Sequence, residues 1–163
     1  MKKRVYIETS IVSYLTANPS RDPIRVVHQR ITRNWWAERR RYFELCVSQL
    51  VLDEAGDGDP GAAAKRLKAL HGAVVLNITD AARQLAKTFM ARGLLPLVAA
   101  ADAVHLATAC VHAVDVLLTW NCRHLANMAI LGDLALMARV NGYELPMVGT
   151  PEELMGMEDQ NHV

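Results

Sequence analysis

The sequence predicts a single α/β domain whose mostly parallel sheet is covered by helices on both faces. Three observations carry this. Short apolar runs of strand length alternate along the chain with segments whose apolar residues recur at helical spacing. Most of these runs lead into a hydroxyl or acidic residue able to cap a following helix, as at Glu8-Thr9-Ser10, Ser48 and Thr79. At 163 residues and 52% apolar content, the chain suffices for one full core, and no repeat, linker or low-complexity stretch divides it. Strands separated along the chain by helices imply crossover connections, and therefore parallel pairing with both sheet faces buried.

Arg4 to Ile7 is the first expected strand, followed by a helix from Ile11 to Thr16. After a turn at Asn18 to Pro23, the stripe Ile24, Val27, Ile31 and Trp35 predicts a long helix reaching Arg41. Tyr42 to Val47 is the second strand, and Ser48 caps a helix carrying Leu50, Val51 and Glu54. The loop from Gly56 to Pro60 ends it, and a helix from Gly61 to His71 leads to a third strand at Ala73 to Asn77. Thr79 then caps a helix through Ala91, which Gly93 closes. An Ala-rich helix runs from after Pro96 to Ala113, followed by a strand at Val116 to Leu118 and a loop at Thr119-Trp120-Asn121. Helical stretches are expected at Arg123 to Ala129 and at Asp133 to Val140, with a last strand at Met147-Val148.

Charge is balanced: 18 Lys and Arg against 17 Asp and Glu give a formal net charge of +1, so any contact with a polyanion must come from a local patch. Cys46, Cys110 and Cys122 make an odd number without a CxxC pair, which argues against a disulfide framework or a structural zinc and fits a reducing cytoplasm. The apolar run after the basic start is too short for a signal peptide or a membrane span, so the chain is read as soluble, unexported and cytoplasmic. No GxGxxG, P-loop or GxSxG pattern occurs, which sets aside dinucleotide, nucleoside-triphosphate and serine-hydrolase chemistry.

In an open parallel sheet, ligands bind beyond the carboxyl ends of the strands, so polar residues just after a strand are the first candidates. Glu8 follows the first strand and Asn121 the fourth, Glu54 lies in the helix after the second, and Asp102 lies near the start of the Ala-rich helix. Four separated segments thus bring Glu8, Glu54, Asp102 and Asn121 toward one end of the sheet. Clustered carboxylates repel one another unless a cation neutralises them, and hard oxygen donors suit Mg²⁺ or Mn²⁺. Such an ion activates water for phosphodiester hydrolysis without a side-chain nucleophile.

These segments resemble the signatures of the PIN-domain family, in particular its VapC-type toxin ribonucleases. The matching stretches are Val5-Tyr6-Ile7-Glu8-Thr9-Ser10, Ser48 to Glu54, Asp102 to Ala109, and Leu117-Leu118-Thr119-Trp120-Asn121, in order along nearly the whole chain. The resemblance implies a three-layer α/β/α fold over residues 1–150, while the acidic tail at 151–163 is read from its own residues as a short helix followed by disorder. It also implies Mg²⁺- or Mn²⁺-dependent RNA cleavage, homodimerisation and an antitoxin partner. In that reading Glu8, Glu54 and Asp102 are metal ligands and Asn121 orients the attacking water. Thr9, Ser10, Thr119 and His105 contact substrate. Glu8 stands where the family usually has Asp, and Asn121 where Asp is common, so three carboxylates and one carboxamide are expected.

Plainer readings compete at each position. Glu8 can serve the positive end of the following helix, and Thr9, Ser10 and Thr119 can be cap or turn groups. Asp53 adjoins Glu54, and only one of the two can face the site. Asp115 is read as a turn residue, and His105 as a packed histidine or a donor to a carboxylate. The remaining histidines, His28, His71, His112, His124 and His162, show no metal-ligand spacing. From Arg21 to Arg41 seven arginines surround Trp35 and Trp36, either as an RNA-binding flank, as a solvated helix with Trp35 packed inward, or as a dimer or antitoxin contact. Two rival functions follow: a catalytically weak or inactive module that binds RNA or protein, and a different metal phosphoesterase.

Overall fold

The structure is a computed structural model that describes residues 1–156. The disorder expected at the end of the tail and His162 lie outside the described residues. Five parallel strands, β1 (Lys3–Ile7), β2 (Phe43–Ser48), β3 (Val74–Leu76), β4 (Val116–Leu118) and β5 (Met147–Gly149), form one sheet in the order β3-β2-β1-β4-β5. The register pairs Tyr6 with Cys46 on one side and with Leu117 on the other.

Among the described residues, seven α-helices connect the strands and an eighth follows the last: α1 (Thr9–Thr16), α2 (Pro23–Glu38), α3 (Gln49–Ala55), α4 (Pro60–Ala69), α5 (Asp80–Ala91), α6 (Ala100–Val111), α7 (Met128–Val140) and α8 (Pro151–Met155). Their contacts divide them into two layers: α1 packs on α2, α3 and α4, with α8 against α2, whereas α5 packs on α6 and α7. Covering on both faces explains why Val5, Tyr6 and Ile7 are all buried rather than alternating. The α/β/α fold with a parallel central sheet is as the sequence predicts.

Several boundaries differ, each for a local reason. The long helix ends at Glu38, and a 3-10 turn over Arg40–Tyr42 feeds β2. The expected helix at Arg123 to Ala129 is instead a run of turns, because the Asn121 side-chain carbonyl accepts from the backbone N–H of Arg123 (3.2 Å) and His124 (3.0 Å). Asn127 then caps α7, which runs unbroken through Gly132. Over residues 150–156 the chain is packed: Thr150 and Glu153 form a capping box, and Leu154 is only 3% exposed.

Candidate acidic site at the carboxyl edge of the sheet

Chain direction across the sheet reverses between β1 and β4, since β1 leads outward to β2 and β3 while β4 leads the other way to β5. Such a switch point opens a crevice at the carboxyl ends of the two strands. Glu8 and Thr119 are the residues immediately beyond those ends, and the backbone N–H of Glu8 still bonds the Leu118 carbonyl at 3.1 Å.

Glu8 is 7% exposed and is held by one oxygen only. Its Oε2 accepts from the Ser10 backbone N–H (3.1 Å), the Ser10 hydroxyl and the Thr119 hydroxyl (2.7 Å). The plainer reading of Glu8 as a helix cap therefore holds for that oxygen. Oε1 has no hydrogen-bond partner among the described residues and is not among the sealed, unpartnered polar atoms, so it is open to solvent.

Glu54 repeats the pattern. Its Oε1 accepts from the Thr9 hydroxyl and lies 2.7 Å from His105 Nε2, while Oε2 is unengaged. Asp53, one residue earlier, is exposed and bonds Gln49, which settles which of the adjacent acids turns inward. Burial pushes the Glu54 carboxyl up, but the hydrogen bond and charge of His105, with the Thr9 hydroxyl, outweigh it and hold the group below the ordinary glutamate range. Behind His105 the contacts continue: Nδ1 lies 2.7 Å from Tyr6 Oη, which lies 2.7 Å from Ser48 Oγ. Ser48 stands at the N-cap of α3 but makes no side-chain cap bond, because its hydroxyl is turned to Tyr6. Burial drives the Tyr6 phenol far above its usual range, against the Ser48 bond, and the Glu8 and Glu54 charges add to the rise. Tyr6 is therefore a neutral hydroxyl.

Asp102 sits in the first turn of α6, with Oδ2 at 3.4 Å from His124 Nδ1. Burial raises its carboxyl above the ordinary aspartate value; His105, His124 and a hydrogen bond from the Asn121 side chain offset part of that rise. Asn121 faces two ways: its side-chain carbonyl holds the turns that follow β4, and its amide is on the side of Asp102, whose carboxyl it helps to lower.

All eight sequence-nominated residues thus reach this edge, but several in roles other than expected. Thr9, Ser10 and Thr119 are clamps on carboxylate oxygens rather than free substrate contacts, because each hydroxyl proton is spent on Glu8 or Glu54. His105 is 1% exposed, too deep to touch substrate. The Asn121 carbonyl is committed to the loop, which leaves only its two amide N–H donors for Asp102 or a water. His124 was missed because ligand spacing was the criterion; its place three residues past Asn121, in the loop beyond β4, was the available signal. Asp115 accepts from the Arg4 backbone N–H at 2.7 Å as a turn residue.

The donor set suits a hard dication, since Glu8 and Glu54 each hold one oxygen in protein hydrogen bonds and offer the other. Among the described residues, no three carboxylate, imidazole or thiol groups converge as a preformed cage. Cys46 and Cys110 are buried and Cys122 is exposed; none is in a disulfide.

The basic stretch splits. Trp35 is fully buried, and Trp36 lies under the Arg40 guanidinium (5.0 Å), so neither offers a free face for a base. Arg39 to Arg41 precede β2 and so lie at the amino edge, opposite Glu8. Arg25 instead lines an open cleft of about 490 Å³ together with Ser10, Ser13, Tyr14 and Gln29, next to the Glu8 clamp. The ring of Trp120 stacks on His28 at 4.0 Å and donates from Nε1 to Thr32 (2.7 Å), tying the 119–121 loop to α2.

No protein-family model matches the chain, and no curated protein matches it. Solved structures do. A chain of VapBC2 from Rickettsia felis, crystallised with a DNA fragment from its promoter, superposes with a TM-score of 0.58 at 13% identity over 90% of this chain and 98% of that one. Mycobacterium tuberculosis VapC20, described as a sarcin-ricin loop cleaving toxin, gives 0.52 at 18% identity over 69% and 86%. The chain has the PIN-like α/β/α fold of these proteins.

Proposed function

We propose that this chain, which shares the fold of VapC toxins, is a metal-dependent endoribonuclease and the toxin of a toxin–antitoxin pair. The observation that carries the reading is the half-clamping of Glu8 and Glu54 at the switch point: protein donors converge on one oxygen of each and leave the other bare. A carboxylate whose role was only structural would gain from engaging both oxygens. Together with Asp102, whose carboxyl feels the charge of Glu54, these groups would hold Mg²⁺ or Mn²⁺. A dication there supplies charge neutralisation at the phosphate and lowers the pKa of a bound water.

The chain's own residues do the remaining work. Ser10, Thr119 and Thr9 fix the carboxylates of Glu8 and Glu54, and Asn121 shapes the loop that carries His124 to Asp102. Arg25 provides a phosphate contact beside the Glu8 clamp. Structured RNA is the substrate class favoured, and the activity named for VapC20 makes the sarcin-ricin loop one fragment to include in a screen. An antitoxin and a second copy of the chain are the proposed partners. The exposed apolar residues Leu136 and Val140, one turn apart on α7, suit a protein contact. Among the described residues, no helix is long and apolar enough to cross a membrane.

The test is incubation of purified protein with a pool of structured cellular RNA in Mn²⁺, in Mg²⁺ and in chelator. Discrete fragments that vanish with chelator are expected. RNA binding without cleavage in either metal would favour the inactive binding module, and cleavage of DNA or small phosphate esters in preference to RNA would favour the other rival.

A further inference from the structure

The buried contacts behind Glu54 assign a role to residues that never meet substrate. We propose that His105, oriented by Tyr6 and Ser48, is a positioning residue that holds Glu54 by one oxygen and presents the other. The inference rests on the reading of Glu54 as part of the site. An ionised Glu54 carboxylate only accepts, so the 2.7 Å contact with His105 requires the proton to be on Nε2. On the other side of the ring Nδ1 meets the Tyr6 hydroxyl at 2.7 Å, and that hydroxyl meets the Ser48 hydroxyl at 2.7 Å. The series Ser48, Tyr6, His105, Glu54 is continuous, and the carboxylate at its end requires Nε2 to be the donor.

Burial keeps that order. Tyr6 and Ser48 are fully buried and His105 almost so, so water has no access to exchange partners along the series. The four residues come from β1, β2, α6 and α3, so the imidazole on α6 is braced by β1, and through it β2, before it reaches Glu54 on α3. The edge-on packing of Tyr6 and His105 (centroids 5.7 Å apart, planes at 65°) further restricts the ring. With the Thr9 hydroxyl on the same Oε1, that oxygen is saturated, and only Oε2 remains for anything outside the protein.

Substitutions that preserve volume test this. His105→Gln keeps an amide donor near Nε2, His105→Leu removes it, and Tyr6→Phe removes only the hydroxyl that orients the ring. Thermal melts establish that each folds, and RNA cleavage is compared in Mn²⁺. Loss of an outer partner of this kind typically lowers activity by about 10- to 100-fold. His105→Leu should fall in that range through kcat, with KM for RNA nearly unchanged, and His105→Gln should recover most of it. Independently of activity, ¹⁵N NMR of the imidazole should find the proton on Nε2 in the native protein and a smaller Nε2–H population in Tyr6→Phe. A native ring without a proton on Nε2, or a folded His105→Leu that cleaves as fast as the native protein, overturns the assignment while leaving the nuclease reading in place. A native protein that cleaves no RNA in any metal overturns both.

Discussion

At the scale of single residues, Glu54 and Asp102 have opposite energetic signs. Asp102 has a folded pKa above its unfolded value near ~3.9. Its protonated form therefore favours the fold, an advantage present at low pH and lost as pH rises through the folded value. At neutral pH the ionised group is a cost to the metal-free protein, so Asp102→Asn should raise the melting midpoint by roughly 2–4 °C, the shift that ~1 kcal/mol produces in a domain of this size. That gain should disappear in acid, and cleavage should be abolished. Glu54, held below its ordinary value, contributes stability above its unfolded pKa of about 4.3 that is lost as pH falls. Glu54→Gln should accordingly lower the midpoint at neutral pH, and calorimetry of both variants from pH 3 to 8 checks the contrast. Glu8, Thr9, Ser10, Thr119 and Asn121 were legible in sequence because they follow strands, and Asp102 because it opens a helix. Glu54, inside α3, is instead favoured over Asp53 by the family resemblance, and His105 by its place one turn beyond Asp102. What each hydroxyl does was not legible: Ser48 reads as a cap in sequence and turns instead to Tyr6, 42 residues away, which only the assembled sheet reveals.

At the scale of elements, strands and long helices were read well because burial on both sheet faces leaves continuous apolar runs, as in Val5-Tyr6-Ile7. Errors fell where a side chain competes with the helix for backbone partners. Asn121 takes the N–H groups of Arg123 and His124 and turns an expected helix into turns. The short helix expected at the start of the tail is α8, which seats Leu154 in the core beside α2. Leu154→Ala should cost about 2–3 kcal/mol in urea unfolding, in the range for a buried leucine. An appended tail would show no change.

For the whole molecule, a net charge of +1 leaves RNA binding to a few local cations. Arg25 is placed beside the Glu8 clamp, whereas Arg39 to Arg41 lie at the opposite edge of the sheet. Arg25→Glu should raise KM for RNA several-fold with little change in kcat, and Arg41→Glu should leave both unchanged. The salt dependence of RNA binding should be shallow, with a log–log slope near −2 for about three phosphate contacts on single-stranded RNA. Underlying each of these expectations is the claim that Glu8, Glu54 and Asp102 together bind a divalent ion through the oxygens the protein leaves bare. Calorimetric titration of the metal-free protein with Mn²⁺, run beside Glu8→Gln, Glu54→Gln and Asp102→Asn, tests it most directly. Saturable binding that weakens at least tenfold in all three variants is the expected result; no binding by the native protein at millimolar Mn²⁺, or equal affinity in the variants, would contradict it.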